Sequence, residues 1–170
     1  QDTTIKPGLA KDWKVSDDGL TYTFTLEEGV KFHDGTDFNA EAVIKNVNRW
    51  KAGNKEQFYY FNSMFKAEGA DVITDVKADG DYTVIFTLSR PQAAFLKNLA
   101  MSPFGIASPT AFEKDGDKFG QNPVGTGPFK FVEWRPNETI TIEKFEDYWQ
   151  AGIPKLDRVI FQVFQDNTAR

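Results

Sequence analysis

The sequence predicts an α+β fold of antiparallel hairpins covered by a few helices, and three observations carry that reading. Alternation of apolar and polar residues with period two dominates several segments, residues with turn chemistry join those segments in pairs, and one clear amphipathic helix interrupts them. A parallel Rossmann-type sheet would need strands and helices in regular succession, and this order does not supply it.

In chain order, Trp13-Lys14-Val15 is expected to pair with a strand in which Tyr22, Phe24 and Leu26 share one face and Thr21, Thr23 and Thr25 the other. Ser16-Asp17-Asp18-Gly19 joins them, since an Asp-Gly pair tolerates positive φ. Asn39 is a good N-cap, Glu41 suits the first helical turn, and Ala40, Val43, Ile44, Val47 and Trp50 recur at helical spacing, which predicts a helix packed on a sheet. Residues 53–66 are ambiguous between states. A second hairpin joins 72–76 to 82–88 through Asp79-Gly80-Asp81, and a short helix is expected from Pro91, carrying Ala94, Phe95, Leu96 and Leu99. Another short helix follows Ser108-Pro109, and Gly116, Gly120 and Pro123 mark loops. A third hairpin pairs 129–134 with 139–143 around Arg135-Pro136-Asn137-Glu138, because Pro136 cannot sit in a central ladder. The segment 158–164 is apolar on both faces and is expected to be a buried strand.

A chain of 170 residues with 40% hydrophobic and 26% charged residues has ordinary globular composition and can bury a proper core. Its net charge of −5 offers no general attraction to a phosphate backbone, so nucleic acid is not an expected partner. The absence of cysteine excludes disulfides, zinc–thiolate sites and thiol catalysis together. No stretch approaches the ~20 apolar residues that span a bilayer, and Gln1-Asp2-Thr3-Thr4 lacks the basic and apolar regions of a secretory signal, so any export signal is expected outside this sequence.

Catalytic readings are weak. The one histidine, His33, lies in Phe32-His33-Asp34-Gly35-Thr36, where an Asp-Gly turn accounts for it, and no Gly-x-Ser-x-Gly elbow accompanies it. Carboxylates such as Asp17, Asp18, Asp79, Asp81, Asp115 and Asp117 fall in turns, where capping backbone N–H groups is their ordinary role. Gly125-Thr126-Gly127-Pro128 lacks the lysine of a phosphate loop and the third glycine of a dinucleotide fingerprint. Its alternate glycines allow close approach of backbone either to a packed neighbour or to a ligand.

Several segments together, in order as well as in wording, resemble family 5 of the bacterial extracellular solute-binding proteins. These are 8–13 (GLAKDW), 18–26 (DGLTYTFTL), 29–35 (GVKFHDG) and 39–43 (NAEAV), then 122–129 (NPVGTGPF), 155–159 (KLDRV) and 166–170 (DNTAR). The resemblance spans nearly the whole chain. It implies part of lobe I of a periplasmic-binding-protein-like fold (class II, cluster C), with 13–110 as a hairpin-and-helix subdomain, 120–170 as the start of the main lobe I sheet, and lobe II absent. It implies a piece of a protein about three times longer, in which two lobes close on cargo by differential contacts.

The function that the resemblance implies is capture of di- or oligopeptides outside the cytoplasmic membrane for an ABC permease, in a periplasmic or cell-surface lipoprotein, with no cofactor, no metal and no catalysis. By similarity the lobe I wall includes Tyr60, Phe61, Ser102, Phe104, Gly105, Gly125, Thr126 and Gly127. Tyr60 and Phe104 are the expected ligand-facing rings, with core packing as the alternative for each. An oligosaccharide, opine or metal chelate is the alternative cargo. A rival of another class is a glycan-active enzyme or carbohydrate-binding module using exposed Trp13, Trp50, Trp134 or Trp149. Unpaired strand edges at 129–134 and 159–164 are expected to favour self-association.

Overall fold

The computed structural model describes residues 4–53 and 56–164. The chain divides into two compact units at residues 28/29, 38/39 and 106/107, so that 29–38 cluster with the C-terminal part and not with the segments flanking them in sequence.

The first unit is built on a four-stranded antiparallel sheet. β1 (Ala10–Val15) and β2 (Thr21–Leu26) form one hairpin, β5 (Ile73–Ala78) and β6 (Thr83–Leu88) form another, and β2 pairs with β6 to give the order β1-β2-β6-β5. The two expected hairpins therefore share one sheet. Its turns follow the expected chemistry: Gly19 and Gly80 have φ of 68° and 73°, and Asp18 Oδ1 accepts the Leu20 N–H at 2.9 Å. In β6, Val84, Phe86 and Leu88 are buried and the residues between them are half-buried, the pattern that a pleated strand with one covered face must show. The hairpin β3 (Lys66–Ala67) and β4 (Ala70–Asp71) is a short separate ribbon.

Helix α1 (Ala40–Ala52) lies on β5 and β6. Asn39 caps it, its side chain accepting the Ala42 N–H at 3.0 Å, while the Ala40 N–H bonds the Asp81 carbonyl at 2.8 Å. Two orphan donors of the first turn are thus satisfied. Ala40, Val43, Val47 and Trp50 are buried as the spacing predicts, Ile44 is half-buried, and Asn46 is buried with its amide donating to the Ala42 carbonyl at 2.8 Å. Gly53 ends the helix without needing an unusual φ. A Cβ there would stand 1.8 Å from the Phe58 ring, so the ring's close approach excludes any side chain.

Residues 53–66, ambiguous in sequence, contain helix α2 (Tyr59–Phe65), which has no side-chain cap and is held by burying Phe61 and Phe65. Helix α3 (Phe95–Leu99) starts later than the expected Pro91. Gln92 is fixed by its amide on the Met64 carbonyl at 2.8 Å, and its own carbonyl accepts the Phe95 N–H at 3.0 Å, which keeps residues 91–94 in a turn. A 3-10 turn covers Ser102–Phe104. The core between these elements is aromatic. Phe65 lies 5.4 Å from Phe61, 5.7 Å from Phe95 and 5.2 Å from Phe104 between ring centroids, within the range for favourable tilted and edge-to-face pairs.

The second unit contains helix α4 (Pro109–Asp115), a 3-10 segment (Gly116–Gln121) and a three-stranded antiparallel sheet of β7 (Phe129–Arg135), β8 (Thr139–Lys144) and β9 (Arg158–Gln162) in that order. Pro136 falls in the β7–β8 turn, beside Asn137 at φ 62°. The expectation that β9 is buried is not met: Ile160 and Phe161 are 59% and 54% exposed, and Val163 and Phe164 just after it are exposed too. Composition on both faces was the only signal, and β9 pairs on one side only, at the edge of its sheet among the described residues.

Phe65 is fully buried at the centre of the ring cluster. Phe65→Ala is expected to cost about 3–5 kcal/mol through lost burial and an unfilled cavity, seen as a lower midpoint in urea unfolding followed by tryptophan fluorescence.

Candidate functional site

Each expected wall residue is described within its own unit. In the first unit, Phe104 follows Pro103 in the 3-10 turn, and its ring is buried, 5.5 Å from Trp50 and 5.2 Å from Phe65. Phe61 is likewise buried against Trp50 and Phe65. The structure thus packs Phe104 into the aromatic core, where an apolar ring loses most by turning towards water. Tyr60, one position from Phe61, points off the other side of α2, is 47% exposed, and meets Tyr59 edge-on at 5.5 Å. Ser102 and Gly105 are exposed, and the Gly105 N–H closes the turn on the Ser102 carbonyl at 3.3 Å. Trp50 is buried, which removes it from any sugar-stacking surface.

In the second unit, Gly125, Thr126 and Gly127 form a backbone segment held by the loop 29–38. That loop is a tight turn. The Gly35 N–H bonds the Phe32 carbonyl at 2.9 Å, Gly35 adopts φ 83°, the Phe38 N–H bonds the Val30 carbonyl at 3.0 Å, and Val30, Phe32 and Phe38 are buried. Asp34 supplies the Asx geometry, its Oδ1 accepting the Thr36 N–H at 3.0 Å and the Thr36 hydroxyl at 2.6 Å. Its other oxygen accepts the hydroxyl of Ser108, which is fully buried and also N-caps α4 by accepting the Ala111 N–H at 3.3 Å. Burial pushes the Asp34 carboxyl up, and the bonds from Ser108 and Thr36 outweigh it, so its pKa lies below the ordinary carboxylate value.

His33 makes three contacts to the glycine segment. Its N–H donates to the Gly125 carbonyl at 2.9 Å, Nδ1 accepts the Gly125 N–H at 3.3 Å, and Nε2 donates to the Gly127 carbonyl at 2.9 Å. A carbonyl cannot donate and an amide N–H cannot accept, so this set fits one state alone, the neutral imidazole protonated on Nε2. The ring also packs edge-on to Phe145 at 5.0 Å. Burial lowers the His33 pKa most; the Gly127 bond and Asp34 oppose this, Lys130 reinforces it, and the net result lies below the ordinary imidazole value. Both ring nitrogens are bonded to backbone. Gly127 has open space beside it, since a Cβ would meet only the Phe129 carbonyl at 3.9 Å, and Thr126 between the glycines is buried.

Sequence reasoning explained His33 by its local turn and missed its long-range partner. The signal lay in two motifs, 29–35 and 122–129, that the sequence marks separately and the fold brings into contact. Among the described residues no group of three or more His, Asp or Glu side chains is placed to hold a metal ion, and no helix is long and apolar enough to cross a membrane.

This architecture is that of the periplasmic binding proteins. A binding protein from Helicobacter pylori, described as ABC transporter-associated DppA in complex with the peptide STSA, superposes with a TM-score of 0.85 at 34% identity, covering 98% of this chain and 35% of that one. AgaA from A. tumefaciens R10, solved with agropinic acid, gives 0.85 at 32% identity over 96% of this chain and 32% of that one. The model of the bacterial extracellular solute-binding proteins, family 5, middle region, matches residues 4–170, and the chain belongs to that family. Among named relatives, the glutathione-binding protein GsiB of Salmonella typhi is 41% identical over 170 residues, which is all of this chain and 32% of the relative. The chain thus spans about a third of the length of the curated relatives it matches.

Ser108→Ala removes both the α4 cap and a donor to Asp34. It is expected to cost about 1–3 kcal/mol at neutral pH. Because the Asp34 pKa is depressed in the fold, its contribution is present above the ordinary carboxylate value and lost as acid titrates it. The deficit of Ser108→Ala relative to the native chain should therefore shrink as pH falls through that titration, measured by urea unfolding at a series of pH values.

Proposed function

We propose that the chain is the lobe I part of the substrate-binding component of an ABC importer, which captures small peptides outside the cytoplasmic membrane and hands them unchanged to a permease. The observation that carries this reading is the identity, along the whole chain, with a glutathione-binding protein, joined to the close superposition on a peptide-bound relative. Glutathione is itself a short peptide, so both point to one ligand class. A periplasmic or surface-anchored lipoprotein suits a carrier of this family, and a second lobe would supply the remaining contacts.

The residues proposed for ligand contact are Tyr60, Ser102 and Gly105 in the first unit and, as a separate stretch, Gly125, Thr126 and Gly127 in the second. An exposed tyrosine offers an apolar face and a hydroxyl with few rotamers to lose, and glycines, having no side chain, let a ligand approach the main chain closely. Such contacts bind a peptide through its main chain, which tolerates varied side chains.

Calorimetric titration of the intact protein with glutathione and with short peptides is expected to give binding, and the ligand should be recovered with unchanged mass. Recovery of cleaved ligand, or binding confined to an opine, a sugar or a metal chelate, would overturn the peptide-carrier reading. Tyr60→Ala should weaken binding about fivefold, the loss of one aromatic contact, without changing the free energy of urea unfolding by more than about 0.5 kcal/mol.

The free edge of β9, with exposed Ile160 and Phe161, supports self-association of the 170-residue chain by strand pairing with a second copy. Sedimentation velocity should show a dimer that grows with concentration and reverts to monomer in Ile160→Lys, whose charge opposes edge pairing. A native chain that stays monomeric throughout would refute it.

A further inference from the structure

We propose that neutral His33 is the positioning residue that fixes the Gly125-Thr126-Gly127 backbone, and that protonation of its ring breaks the bond from the Gly125 N–H and loosens the segment at that end. The inference extends the reading of this segment as ligand wall, and its regulatory meaning rests on that reading.

The geometry is a clasp with three bonds of unequal sensitivity. The His33 N–H to the Gly125 carbonyl survives any ring state, because it is main chain to main chain. The Nε2 bond to the Gly127 carbonyl also survives protonation, since Nε2 carries hydrogen in both states. The bond from the Gly125 N–H to Nδ1 does not survive. A proton on Nδ1 replaces a lone pair with a second donor, so two N–H groups face each other across 3.3 Å. The Gly125 N–H is then left without its acceptor, and the segment must shift to satisfy it.

The charged groups around the ring set the balance. Asp34, on the same loop, favours the imidazolium, but its carboxylate is already engaged by Ser108 and Thr36. Lys130, on β7, opposes it and is paired with Glu143 at 3.1 Å. Lys31 and Asp37, also on the loop, pair with each other at the surface. Phe145 meets the ring in a T-shaped pair at 5.0 Å and brings no ionisable group. The neutral form is therefore the one that the fold holds. Stability from the clasp is present above the ordinary imidazole value and is lost as pH falls through the depressed one.

His33 is the only histidine in the sequence, so its ring signals need no assignment by mutation. Long-range proton–nitrogen NMR on the full chain should show the Nε2-protonated tautomer near neutral pH. On acidification the Gly125 amide should shift with the same midpoint as the ring. Its hydrogen exchange, corrected for the intrinsic pH dependence, should speed about fivefold, the factor for one lost hydrogen bond. In His33→Asn that step should vanish from the Gly125 amide, whereas Asp34→Asn should move its midpoint without abolishing it. An Nδ1-protonated tautomer, or a ring that titrates while the Gly125 amide stays still, would overturn the proposal whatever the protein binds. If the clasp titrates as described and the affinity of the intact protein for glutathione or short peptides is flat across the same pH range, the clasp stands and the ligand-wall reading of the segment falls.

Discussion

A pleated strand can turn only every second side chain inward, and in β6 those positions are Val84, Phe86 and Leu88. Everything in the first unit follows from covering that face. The stripe of α1 closes one part of it, and the rings of Phe61, Phe65, Phe95 and Phe104 fill the rest at centroid spacings near 5–6 Å. Rings packed this way carry large buried areas with little freedom to turn. The same packing decides what the unit can present outward. Once Phe61 and Phe104 belong to the core, the aromatic surface left on that stretch of α2 is Tyr59 and Tyr60.

Local chemistry was legible wherever one residue type has one dominant use. The Asp-Gly turns, the Asn39 cap, the Ser108-Pro109 helix start and the placing of Pro136 in a turn all follow from backbone preferences and short-range bonds, which a sequence displays directly. Burial was less legible because it depends on partners distant in sequence. A strand such as β9, apolar on both faces, looks like a central strand until its neighbours are known. Phe104 in a Ser-Pro-Phe-Gly turn looks available until Trp50 and Phe65 close around it. The start of α3 depended on Gln92 bonding to Met64, 28 positions away. For the candidate site, the glycine motif was visible and its meaning was not, since nothing local to Gly125 says that a histidine 92 positions earlier accepts its amide hydrogen.

Relatives that share this scaffold are described with quite different cargo, from a peptide to agropinic acid to glutathione. That spread is what a scaffold of buried rings and backbone contacts permits. In general a packed core fixes where main-chain groups stand, and function lies in the side chains and loop atoms that a fold leaves at its surface. Specificity can then diverge without disturbing the aromatic cluster, whose members tolerate little change in volume.

The insertion of residues 29–38 into the second unit also constrains the order in which the chain can acquire structure. Ser108, Gly125 and Gly127 lie 74, 92 and 94 positions beyond their partners in that loop. Closing so long a span is entropically costly before its contacts form. On a ribosome, β2 and α1 emerge and can begin to organise while residues 29–38, which lie between them, still lack most of their partners. Those residues, with three large apolar side chains, Val30, Phe32 and Phe38, stay open to chaperones or to wrong partners until the glycine segment leaves the exit tunnel. Vectorial synthesis therefore makes this short loop settle later than the strand and helix that flank it.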